Sequence, residues 1–334
     1  MVDFTKTLIS IGFFLFAIIC VGTVYQRIAT KLDEKRFPPE GKLIDIGGYR
    51  LHLHGMGQGT YSVVLESGCS LNSLEWTLVQ PEIAKFARVY SYDRAGLGCS
   101  DMSPHPRTSR QMVEELHTLL EQEQAPKPYI LVGHSLGGVN VRLFAHRYPD
   151  EVCGMVLVDS SHEDQESRIP EFETLFPLKY PRGVQFLVSV GMERLLMHFP
   201  QSKKMLRIDR FSDRIQKTIM ARYLTTKYVK TLIEENRLFE TSLSQLKETN
   251  FFFGNKPLIV VTAARYVKGD EQPDERVKQL GRVWNELQKE LVYQSSRGTQ
   301  VIAHQSNHLI MRHQPEIIVE AVREVARISN GCRE

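Results

Sequence analysis

Five residues between two apolar stretches carry the most direct chemistry in this chain: Gly133-His134-Ser135-Leu136-Gly137. Tyr129 to Val132, just before them, is short, apolar and made of strand formers, while Val139, Leu143 and Phe144, just after, recur at helical spacing. A strand that turns directly into a helix through this pentapeptide fits the GxSxG nucleophile elbow. The glycines let the backbone bend sharply because no Cβ stands in the way, so the serine hydroxyl is exposed above the strand. At the helix N-terminus, free N–H groups and the helix dipole favour the negative charge that forms when an ester carbonyl is attacked. Ser135 is therefore the candidate nucleophile.

The composition narrows the setting for this chemistry. With 334 residues, 42% of them hydrophobic, the chain can bury one large core or two small ones. A net charge of +3 is too small to argue for nucleic acid. Cysteines at 20, 69, 99, 153 and 332 show no paired spacing and no CxxC, so neither a zinc site nor a disulfide framework is expected, and a reducing compartment suits them. No metal or organic cofactor is implied. Internal repeats and low-complexity segments are absent from the sequence.

Leu8 to Tyr25 is an uncharged apolar run long enough to cross a bilayer as a helix. A cleaved signal peptide is the competing reading, but the run is long for one and no small-x-small site follows, so a retained single-pass anchor is favoured. Lys6 precedes the run, whereas Arg27, Lys31, Lys35 and Arg36 follow it, a bias that puts the rest of the chain on the cytoplasmic side. Residues 1–36 thus form an anchor and its flank, and Pro38-Pro39-Glu40-Gly41 reads as a linker.

Beyond the linker, strands alternate with helices. Lys42 to Ile46 and Tyr49 to His54, parted by Gly47-Gly48, form a hairpin pattern. Strands are predicted at 62–66, 88–92, 129–132, 155–158, 258–261 and 299–303, and helices at about 73–87, 109–123, 274–293 and 315–328. This alternation predicts an α/β fold with a mostly parallel, doubly wound sheet. Core residues 37–162 and 256–330 are interrupted between the sixth and seventh core strands by 163–255. That segment lacks strand alternation and spaces Leu187, Leu195, Ile215, Ile219, Leu232 and Leu238 as amphipathic helices would, so it reads as a cap or lid. Lys203, Lys204, Arg207, Arg210, Arg214 and Lys217 make it basic, a solvated helix face by default and a meeting place for anionic headgroups or substrates by the sharper reading.

Along nearly all of residues 42–328 the chain resembles the α/β-hydrolase fold superfamily. GHSLG at 133–137, the DRAGLGCSD loop at 93–101, which looks like DxxGxGxS, and Ser306-Asn307-His308-Leu309 carry the match. The resemblance implies a triad in the order Ser, acid, His. His308, past the last strand, takes the place of the base that removes the serine proton. His304 and His313 are its neighbours in sequence, and His134 is expected to lie beneath the nucleophile. The acid departs from the common pattern, because Thr262 to Lys268 holds no carboxylate. Asp159, at the end of the preceding strand, is preferred, with Asp270 as the alternative. For the oxyanion hole the resemblance implies the backbone N–H groups of Leu136 and Cys69, with Ser67 where many relatives carry histidine. A reactive role for the Cys69 thiol has no basic partner visible in sequence.

These residues together lead to a membrane-anchored serine hydrolase that cleaves a small-molecule carboxylic ester, lipid-like or otherwise, through an acyl-Ser135 intermediate. The same triad would serve an acyltransferase, a peptidase or a carbon–carbon hydrolase, and the same scaffold a non-hydrolytic small-molecule binding protein. Oligomeric state is not encoded in any of these features.

Overall fold

The fold is that of a computed structural model, which describes residues 4–169, 183–197, 208–264 and 275–330. Eight strands make one sheet: β1 (Lys42–Asp45), β2 (Arg50–Met56), β3 (Ser62–Glu66), β4 (Arg88–Tyr92), β5 (Tyr129–His134), β6 (Val152–Val158), β7 (Pro257–Ala263) and β8 (Arg297–Ala303). Their spatial order is β1-β2-β4-β3-β5-β6-β7-β8. The pairs β1/β2 and β2/β4 are antiparallel and all others parallel.

Chain order explains where a site must form. From β3 the chain moves outward to β4 on one side, then returns to place β5 on the other. A parallel sheet opens a crevice at such a switch point, beyond the carboxyl ends of the strands. The loop after β3 and the elbow after β5 therefore face each other by topology alone, with Leu65 paired to Val132 and Glu66 to Gly133.

The helices, in chain order, are α1 (Phe4–Arg36), α2 (Ser109–Glu123), α3 (Leu136–Arg147), α4 (Val184–Ser189), α5 (Met192–Leu196), α6 (Asp213–Tyr223), α7 (Thr226–Arg237), α8 (Phe239–Lys247), α9 (Glu275–Val292) and α10 (Pro315–Asn330), with a few single turns besides. Between β6 and β7 the described residues form helices and no strand. Side chains alternate across the sheet. Tyr129 and Leu131 of β5 join Val141, Phe144, Leu287 and Leu291 on one face, and Ile130 and Val132 join Trp76, Ile318 and Val322 on the other. Both faces of β3, β5 and β7 are buried, which is why these strands read as unbroken apolar runs.

The helix expected over 73–87 is instead a 3-10 turn at Ser73–Trp76 and a short helix at Gln80–Ile83. Pro81 explains the break: it has no N–H to donate and its ring would meet the carbonyl of Thr77, so it is accommodated only in a first helical turn.

The chain divides into two compact units, Met1–Pro39 with Tyr180–Lys230, and Glu40–Lys179 with Thr231–Glu334. The second contains the sheet. In the first, α1 is a helix long and apolar enough to cross a membrane by length and composition, and none of its apolar window is buried. It continues past Tyr25 to Arg36 and stops before Pro38-Pro39, since a residue preceding proline is driven out of helical geometry. Gln26 is the one buried residue of α1, donating to the Leu224 carbonyl at 2.8 Å.

Candidate active site

Ser135 ends β5 and precedes α3 with φ 52° and ψ −120°, a left-handed, strained backbone for a residue with a side chain. Close packing enforces the bend. A Cβ on Gly133 would fall 2.5 Å from the Gly137 carbonyl oxygen, and one on Gly137 equally close to the carbonyl of Glu66. Gly138, one turn into α3, lies so near the loop after β6 that a Cβ there would run into the Ser160 side chain. Backbone bonds continue the contact: Ser135 N–H donates to Val158 O at 3.2 Å, and Ser161 N–H donates to Ser135 O at 3.0 Å.

That loop begins with Asp159, fully buried and also left-handed, at φ 42°. Its Oδ1 accepts from the Ala263 N–H and from Trp284 Nε1, each at 3.0 Å. Its Oδ2 accepts from His308 Nδ1 at 2.7 Å. With both oxygens occupied, the carboxylate has one orientation, and the imidazole it holds carries its proton on Nδ1 and offers Nε2 as a lone pair. The His308 ring also meets the Trp284 indole edge-on, with centroids 6.0 Å apart, and its side chain remains 43% exposed, open to a reactant.

His134 supports His308 from within. Its buried ring lies 4.6 Å from that of His308, and Nε2–H donates to the His308 backbone carbonyl at 2.9 Å. Burial, helped by the neighbouring His308, holds the His134 pKa well below its ordinary value, so this ring stays neutral. His304 follows β8 directly, and His313 contacts the Leu309 carbonyl through Nδ1 at 2.9 Å. Asp159 is thus the carboxylate brought to His308, and Asp270 lies outside the described residues.

The loop after β3 is held by ions. Arg94, from the 93–101 loop, is buried and donates from Nη1 to Glu66 Oε1 at 2.8 Å and Ser67 O at 2.6 Å, and from Nη2 to Gly68 O at 2.7 Å. Its Nε donates to Glu235 Oε1 at 2.8 Å. Glu235 in turn accepts the Ser70 N–H at 2.6 Å. Burial opposes the Arg94 charge, yet Glu235 and Glu66 raise its pKa well above the usual value. Two carbonyls and an N–H around Cys69 are thereby fixed. Gly68 presses against the elbow, where a Cβ would stand 3.2 Å from Ser135 Cβ. Leu136 is the first residue of α3, so its N–H has no acceptor within the helix. Ser67 accepts from Trp76 Nε1 at 2.9 Å and donates to Asn72 O at 3.0 Å, a structural use. The Cys69 thiol is pushed up to about 12, by burial first and Glu235 next, which leaves it protonated and a poor nucleophile.

Sequence reasoning misses three of these parts: Glu235, Trp284 and the His134 to His308 bond. Each is a contact between residues far apart in the chain and bears no local motif. Among the described residues, cysteines 20, 69, 99 and 153 are not joined in disulfides. Among the described residues two groups of His, Cys and carboxylate side chains lie close together, His52 with Asp93 and Cys99, and His117 with Glu121 and Glu151. In the first, Asp93 lies 2.8 Å from His52 Nδ1 and accepts from the N–H groups of Ser73 and Cys99. These contacts of Asp93 hold the 93–101 loop.

A family model described as the alpha/beta hydrolase fold matches residues 51–280, and the chain belongs to that family. It is similar to YqjL of Bacillus subtilis, 26% identical over 285 residues covering 85% of this chain and 91% of that protein. It is also similar to the Hormonema carpetanum protein named "Probable transporter efuK", 29% identical over 313 residues, where it spans 85% of this chain and 42% of the longer relative. Among solved structures, the epoxide hydrolase CorEH shares the fold with a TM-score of 0.55 and 17% identity, over 85% of this chain and 97% of that one.

Proposed function

We propose that the protein is a membrane-anchored serine hydrolase that cleaves a carboxylic ester or similar acyl bond. The observation that carries this reading is the Asp159–His308 bond of 2.7 Å, set beside a serine strained into an elbow. In this mechanism His308 Nε2 removes the Ser135 proton as the hydroxyl attacks the acyl carbon. The N–H groups of Leu136 and Cys69 receive the developing oxyanion. The same imidazole, now protonated, gives its proton to the leaving alcohol, and water activated by His308 then releases the acid from Ser135. Asp159 holds the correct tautomer and stabilises the imidazolium.

The division of the chain into an anchor at 1–36, a core at 37–162 and 256–330 and a cap at 163–255 belongs to the same reading, as does placement of the core on the cytoplasmic side. A p-nitrophenyl ester series from acetyl to palmitoyl, with fluorophosphonate labelling in parallel, tests it. Turnover and labelling are expected in the parent, and Ser135→Ala should lose labelling entirely and at least about 10⁴-fold in kcat. A parent that is folded yet neither labels nor turns over any ester would overturn the reading in favour of a binding role.

A further inference from the structure

In the unit that contains α1, the short helices α4 and α5 form a hairpin whose polarity is inverted. Across 184–196 the exposed residues are Phe186, Leu187, Met192, Leu195 and Leu196, and every one is apolar. Of the two charged residues of the hairpin, Arg194 is buried and Glu193 half-buried, alongside the buried Val188 and Gly191. A helix pair packed for water does the opposite.

What Arg194 turns toward is α1. It donates from Nε to Gln26 Oε1 at 2.8 Å, from Nη1 to Asp33 Oδ2 at 2.5 Å and from Nη2 to Thr30 Oγ1 at 3.2 Å. Residues 26, 30 and 33 share one face of α1. Glycines allow the backbones to touch: Gly191, with φ 74°, turns the hairpin where a Cβ would stand 2.9 Å from the Tyr25 ring, and Gly22 faces the Val190 carbonyl. The hairpin is therefore fastened to α1 at the end of its apolar run. A helix of 33 residues is about 50 Å long, against about 30 Å of bilayer hydrocarbon, so this end of α1 lies where hydrocarbon gives way to headgroups. Val21, Val24, Ile28 and Leu32 of α1 are exposed as well, and so are the basic residues Arg27 and Lys31.

We propose that the 184–196 hairpin is a second membrane contact, in which Phe186, Leu187, Met192, Leu195 and Leu196 enter the interfacial layer of a bilayer with anionic headgroups. The inference rests on reading α1 as an anchor. Continuity of the apolar surface with α1 and the basic residues at its edge select lipid as the occupant. Such a contact would hold this unit flat against the bilayer, which a single spanning helix on a proline-ended stalk does not do.

Tryptophan introduced singly at Phe14, Phe186 and Leu195 of the full chain, in phosphatidylcholine–phosphatidylglycerol vesicles, tests this against the parent, whose Trp76 and Trp284 are buried. Brominated lipid is expected to quench the added emission in all three variants while aqueous iodide does not, with the circular dichroism unchanged. Quenching by brominated lipid at Phe14→Trp alone, with iodide reaching the other two, overturns the hairpin contact and leaves the anchor standing. Protection of Phe186→Trp and Leu195→Trp from both quenchers overturns it in favour of a second copy of the chain. If Phe14→Trp itself escapes brominated lipid, the anchor reading fails and the hairpin contact with it.

Discussion

The proposed catalytic cradle and the α1–hairpin unit handle polarity in opposite ways. In the cradle, Asp159 and Arg94 are taken out of water, and each of the hydrogen-bonding positions used there has a named partner. In the other unit, phenylalanine and leucine stand outside while Arg194 is folded in. A buried ion is tolerated only when it is fully bonded, and an exposed apolar face only when something other than water covers it. The buried ions of the cradle, Asp159 and Arg94, thus find their partners within the chain, whereas the apolar face of the hairpin is left for a surface outside it.

The comparison breaks most visibly at Asp159. Asp159→Asn keeps the size of the side chain but presents an amide to His308 Nδ1, and the wrong tautomer follows. A fall in kcat of about 10³- to 10⁴-fold is expected in ester hydrolysis, with KM little changed. A fully active Asp159→Asn would move the acid elsewhere.

Glu235→Ala tests whether the cradle depends on completeness. Removing it leaves Arg94 buried with one carboxylate and frees the Ser70 N–H. Loss of one partner from a buried pair costs about 3–5 kcal/mol, readable as a shift in the urea midpoint. The release of the loop carrying Cys69 should lower kcat as well, and restoration of kcat by Glu235→Gln, which can still accept from Ser70, separates positioning from charge.

A smaller effect concerns pH. His134 is neutral when folded because its pKa lies below the ordinary 6.5 of an unfolded histidine. As pH falls through 6.5 the unfolded chain binds a proton that the folded one refuses, so this contribution to stability is full above that value and declines below it. Unfolding followed from pH 7.5 down to 5 should show that decline, at up to about 1.4 kcal/mol per pH unit per histidine. His134→Gln, which keeps a donor for the His308 carbonyl, should flatten the slope.

The smallest effect is expected where the apolar residues are exposed. Leu195→Ser combined with Phe186→Ser should change stability in detergent-free aqueous solution by less than about 0.5 kcal/mol each, because little packing is lost. The same substitution in Val132 or Leu157, buried in the sheet, would cost several kcal/mol. A large loss at Leu195 would show that protein, not lipid, covers it.

Most of the sheet is legible in the sequence because buried parallel strands leave short apolar runs, and Val63 to Leu65 and Leu258 to Val261 need no partner to be recognised. Ser135 is legible for a related reason: its elbow is local, made by residues adjacent in the chain. The pair of Asp159 and His308 is half legible. Asp159 directly follows β6 and His308 lies in the loop after β8, but 149 positions separate them, and the register of β6, β7 and β8 brings those strand ends together. Glu235 is illegible, since a glutamate on an amphipathic helix looks solvated until Arg94 arrives from 141 residues away. The break at Pro81 was available in the sequence, and the apolar spacing around it outweighs the proline unless the missing N–H is counted.

Gly138 links these scales. Because a methyl group at that position would collide with Ser160, α3 and the loop that starts with Asp159 cannot be repacked independently. For anyone seeking new substrates by random mutagenesis, this means that the proposed nucleophile and its proposed acid travel as one inherited part. Useful variation has to come from residues that neither helix nor loop uses to hold the other, and a library that spares 138 and 160 will waste far fewer of its members on misaligned triads.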